Sequence, residues 1–83
     1  SSLNDIKFGN FHVKFASGAY SELAVVYTGV LNRDSEDFIT DTLMAFEIEN
    51  STVLESWNGD LSVLSTAQSH LEKLFGEIDK EKN

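Results

Sequence analysis

Side chains able to do chemistry are few in kind here: the 83-residue chain holds fourteen carboxylates, two histidines and no cysteine. The missing cysteine removes disulfide frameworks, thiolate metal sites and cysteine nucleophiles, and fits a reducing, cytoplasmic setting. His12 and His70 lack a His, Asp or Glu at the spacing that metal sites use, so no metal ligand is assigned. His12 is read on the polar side of its strand and His70 at the border of a helix–sheet contact. Serines are plentiful, yet no Gly-x-Ser-x-Gly elbow occurs. Glycines at 9, 18, 29, 59 and 76 are too scattered to cradle a phosphate. No catalytic residue and no cofactor follow from these patterns.

The loop Asn32-Arg33-Asp34-Ser35-Glu36-Asp37 offers oxygens at alternate positions, as a calcium loop does. It lacks the turn-forming glycine, and Leu43 stands at the twelfth position where a bidentate glutamate belongs. Asn50-Ser51-Thr52 matches the N-glycosylation acceptor pattern, a three-residue match of low specificity.

What remains is charge. Six bases against fourteen acids leave a formal charge of −8, and no Lys or Arg occurs between Arg33 and Lys73. Binding to nucleic acid or to anionic membranes needs clustered bases, so both are disfavoured and a basic protein surface is the expected partner. The residues read as partner-binding are Asp34, Glu36, Asp37, Asp41, Glu47, Glu49, Glu55 and Trp57. They do this work only if the fold gathers them on one surface, where their field would steer a basic partner.

The elements that must position them read as one α+β domain over residues 1–83, with 1–5 and 80–83 frayed. Phe8, Phe11, Val13 and Phe15 alternate with His12 and Lys14 as in a half-buried strand, with Gly9 as a bulge. The nearly continuous apolar run over 23–31 predicts a central strand covered on both faces. Residues 32–37 read as an exposed loop. In 38–48 the even positions Phe38, Met44, Phe46 and Ile48 share one face and Asp41, Glu47 and Glu49 the other, which predicts a third strand. A helix starting near Asp34 or Ser35 competes with that reading, since either residue can cap.

Glu49-Asn50-Ser51-Thr52 then turns into a fourth strand over 53–57, and Asn58-Gly59 suits a tight hairpin. A short fifth strand over 60–64 or a helix capped by Asp60 follows. Ala67, Leu71, Leu74, Phe75 and Ile78 recur at helical spacing behind a capping-box pattern at Ser65, predicting a helix over 66–79. The fold class is therefore a four- or five-stranded antiparallel meander followed by one amphipathic C-terminal helix packed on one face.

Phe46-Glu47-Ile48-Glu49-Asn50 followed by Val53-Leu54-Glu55-Ser56-Trp57 is faintly similar to the closing hairpin of the ketosteroid-isomerase and polyketide-cyclase superfamily. That resemblance implies a cone-shaped domain that binds or transforms a small molecule. The composition points elsewhere, to a non-enzymatic interaction module of the inhibitor, immunity or nucleic-acid-mimic kind that meets a basic partner through an acidic sheet face. A third expectation is structural. A chain this short buries only about 60–65% of its unfolded surface, so self-association into a homodimer would add to a thin core.

Overall fold

The computed structural model describes residues 2–59 and 61–82. Strands β1 (Ser2–Phe8), β2 (Phe11–Ser17) and β3 (Glu22–Tyr27) form a three-stranded antiparallel meander in the order β1-β2-β3. Helices α1 (Arg33–Glu49), α2 (Ser51–Glu55) and α3 (Val63–Lys82) follow. The expected α+β class and meander hold; the strand count and the single helix do not.

Gly9 does not bulge a strand. Phe8 pairs with Phe11, leaving Gly9-Asn10 as a two-residue turn, and Gly9 takes φ +60° while no non-glycine residue among those described has positive φ. That combination is a type II′ turn, whose twist matches the strands it joins. The strand read as central, β3, is an edge strand. Its Leu23 and Val25 pack against the core, while Ala24 and Val26 face solvent.

Residues 38–48 are helical, as the competing reading has it, but α1 starts at Arg33. The exposed loop read over 32–37 is helix apart from Asn32, with Ser35 buried, and Asn32 takes the capping place expected of Asp34 or Ser35. Asn32 caps α1 by accepting the Ser35 N–H at 2.9 Å, and Asp34 and Glu36 lie in the first turn, where carboxylates favour the helix dipole. Ile39, Leu43 and Phe46 recur at i, i+4 and i+7, with Ser35 and Thr42 completing the inward face. Of the residues that suggested a strand, Met44 and Ile48 simply point outward, both more than half exposed.

The fourth strand is also replaced by helix: the Leu54 N–H bonds the Asn50 carbonyl at 2.9 Å, so α2 forms where a hairpin was expected. The hairpin that resembled the cone-shaped superfamily is therefore absent. Asn58-Gly59 lies in the connection between α2 and α3, with Gly59 at φ +90°. Asp60, read as a cap or as the start of a fifth strand, lies outside the described residues. Leu61 and Ser62 form a turn, and α3 opens at Val63, earlier than the capping-box pattern placed it.

Ala16, Ile39, Leu43, Leu74 and Ile78 make the core, with Leu23, Val25, Leu31 and Phe38 partly buried around it. Among the described residues the sheet's one fully buried member is an alanine, and α3 packs mainly on α1. A radius of gyration of 13.4 Å exceeds the roughly 12 Å expected at this length. The molecule is correspondingly flat, 37 × 25 × 19 Å, two layers thick. No helix among the described residues is long and apolar enough to cross a membrane.

Candidate functional site

Six of the eight residues read as partner-binding lie on α1, and the helical period sends them in three directions. Asp34, Asp37 and Asp41, at i, i+3 and i+7, are exposed and lie opposite the buried Ile39 and Leu43. Met44 and Ile48 continue the same stripe, so the outward face of α1 runs from three acids into two exposed apolar side chains. Among the described residues these three aspartates enter no ion pair.

Glu36 and Glu47 turn toward the sheet. Glu36 pairs with Lys14 at 3.0 Å, and Lys14 also lies 3.7 Å from Asp5. The hydrogen bond to Glu36 is the largest influence on Lys14; it and the nearby carboxylates outweigh burial and raise the lysine's pKa. Glu47 closes over the β2–β3 turn. Its two oxygens accept the Ala19 N–H at 2.9 Å, the Tyr20 N–H at 2.8 Å and the Ser21 hydroxyl at 2.7 Å. Burial pushes this carboxyl upward, but those donors prevail and hold its pKa below the ordinary value. A Cβ at Gly18 would meet the Glu47 carboxylate, so a larger residue there would displace that side chain from its grip on the turn. Glu47 is thus committed to joining α1 to the sheet.

Glu49 turns toward α3, where its carboxylate meets His70 Nε2 at 3.1 Å. The His70 ring stands edge-on to Phe46 at 6.1 Å, so this histidine lies at a helix–helix contact, and it also lines a depression reaching Leu23 of the sheet. Glu55 ends α2 in an exposed position, and Trp57, half exposed, follows in the connection. The continuous sheet-borne patch read from the sequence is not formed, since the acids stand on helices.

Asn50 is buried at the junction of the helices. Its amide nitrogen donates to the Phe46 carbonyl at 2.9 Å, and its amide oxygen accepts from the Thr66 hydroxyl at 3.2 Å. Both ends of the acceptor-pattern asparagine are occupied within the fold, which leaves no room for a glycan.

A polar cluster that the sequence did not reveal sits on the helix-facing side of the sheet. His12 stacks on Tyr27 at 5.1 Å, with Asp5, Lys14 and Glu36 beside them. His12 therefore faces the helical layer. Its Nδ1 is buried, lies 4.0 Å from Asp5 and has no hydrogen-bond partner among the described residues. Burial raises the Tyr27 pKa and the Glu36 hydrogen bond raises that of Lys14, so the environment favours the protonated form of both. No group of three or more His, Asp or Glu side chains among the described residues could hold a metal ion.

Two depressions flank α1. One, about 210 Å³, is apolar and lined by Leu23, Leu43, Phe46, Ala67 and Leu71 with His70 at its rim. It is smaller than the roughly 300–1,000 Å³ of ordinary ligand pockets. The other, about 520 Å³, is an open groove between α1 and α3 where Asp41, Glu49 and Glu77 face Lys73. Neither places a convergent polar group over an enclosed apolar floor.

Neither a protein-family model, nor a curated protein, nor a solved structure matches this chain.

Proposed function

We propose that the chain is a non-enzymatic protein-interaction module that docks on a basic partner surface through the outward face of α1. The observation that carries this reading is the stripe Asp34, Asp37, Asp41, Met44 and Ile48, exposed along one side of one helix. Three carboxylates one and two turns apart are spaced to meet Lys or Arg side chains. The apolar pair beyond them supplies area that excludes water, as the centre of an interface requires. Such a face orients its partner by charge at one end and anchors it by burial at the other. Glu36, Glu47 and Glu49 contribute to the long-range field while their carboxylates serve the fold.

The test is capture of partners from the native host at low and at high salt, comparing the chain with its double variant Asp37→Lys, Asp41→Lys. A partner held through this stripe is released by salt and binds the variant at least about tenfold more weakly. Capture of the same proteins in the same amounts by both chains would sink the proposal. Glu47 is unsuitable for such a test, because its substitution disturbs the β2–β3 turn.

A further inference from the structure

Antiparallel sheets with one face packed on helices ordinarily keep the other face polar. Here the open face is apolar. The register places Phe8 against Phe11, Val13 between Ile6 and Val26, and Phe15 against Ala24, all on the side away from Ala16 and the helices. Phe8 is 75% exposed and Val26 63%, with Ile6 and Phe11 each about half exposed. On the areas typical of such side chains this face offers roughly 500 Å² of apolar surface per chain.

We infer that this face binds a second copy of the chain, sheet against sheet, about a two-fold axis. Three observations select that occupant. Two such faces together bury about 1,000 Å², the lower limit of a stable specific interface. The face holds no charged side chain except Glu22 at one end, while the chain carries −8 overall. Stacking the open faces is therefore the arrangement that keeps the acidic helices of two like-charged copies farthest apart. Side-chain size also varies along the face. Phe8 and Phe11 stand tall beside the Gly9 turn, and Asn4 and Ala24 are low at the other end, flanking Phe15. A two-fold running across the strands places the tall end of each copy over the low end of the other, the self-complementarity that such an interface requires. This inference stands apart from the α1 reading, because the two surfaces share no residue.

Sedimentation equilibrium over a range of concentrations decides it. The full chain should run at twice its 9.2 kDa mass. Val26→Glu introduces a charge twice by symmetry and should raise the dimer dissociation constant about 100-fold or more. Phe8→Ser, at the tall end, should act in the same direction, with circular dichroism reporting that both variants stay folded. Asp37→Lys should leave the mass unchanged while weakening any salt-labile partner, so failure of one reading is distinguishable from failure of the other. A chain that stays at 9.2 kDa at high concentration, including one that binds lipid vesicles as a monomer, overturns the inference. So does a dimer unaffected by Val26→Glu.

Discussion

On the covered face of the sheet Asp5, His12, Lys14 and Tyr27 stand beneath the helical layer, with Ala16, Leu23 and Val25 as its apolar part. On the open face the corresponding positions are Ile6, Phe8, Phe11, Val13, Phe15 and Val26. The covered side thus carries the ion pairs and the uncovered side the phenylalanines. Strand alternation decides which residues share a face and leaves open which face the rest of the chain will cover. Within one chain the buried core therefore lies mostly on α1 and α3, and the apolar side of the sheet stays largely exposed.

The sharpest contrast is in the helical core. Ile39→Ala empties a fully buried site between α1 and its neighbours and should cost about 3 kcal/mol, read by chemical denaturation. In a domain this small that loss approaches the whole stability. A cost below about 1 kcal/mol would mean that the helical layer is not the principal core.

Next in size is the Glu47 clasp. Glu47→Gln exchanges charge-assisted acceptors for a weaker amide and should cost about 1 kcal/mol, allowing for the partial exposure of the site. Because the folded state depresses this carboxyl, its contribution is full above the ordinary glutamate pKa. It is lost as pH falls through the depressed value. Stability of the wild-type chain should therefore drop on acidification more steeply than that of Glu47→Gln. Parallel curves would assign the acid sensitivity to other carboxylates.

The smallest effect is expected for the ion pair on the covered face. Lys14→Met keeps the aliphatic stem and removes the charge from Asp5 and Glu36, and should change stability by less than about 1 kcal/mol. The folded state raises this lysine's pKa, so any contribution is present below the ordinary lysine value and fades as pH rises through the raised one. A loss of several kcal/mol would show that the polar face, and not the helix pair, organises the sheet.

Much of this arrangement is visible in the sequence, and the failures have specific causes. The spacing of Leu71, Leu74 and Ile78 announces α3 because its stripe is purely apolar. The stripe of α1 is diluted by Ser35 and Thr42, which face inward with Ile39, while Met44 and Ile48 face outward; alternating even positions then mimic a strand. The run over 23–31 reads as covered on both faces because Ala24 and Val26 are apolar as well, yet only one side meets the helices. The acidic stretch is legible as a block of charge. Its division into three directions depends on a period of 3.6 in place of 2. The role of Glu47 has no sequence signal, since two of its donors are backbone N–H groups lying 27 and 28 residues upstream.

That distance carries a consequence for how the molecule assembles. Strand pairs with adjacent strand across short turns, and α3 returns to α1 within the C-terminal half, so sheet and helical layer each close loops of low entropic cost. The grip of the Glu47 carboxylate on the turn, the Lys14–Glu36 pair and the seat of Ala16 among the helices join two such halves across longer stretches of chain, where closure costs more entropy.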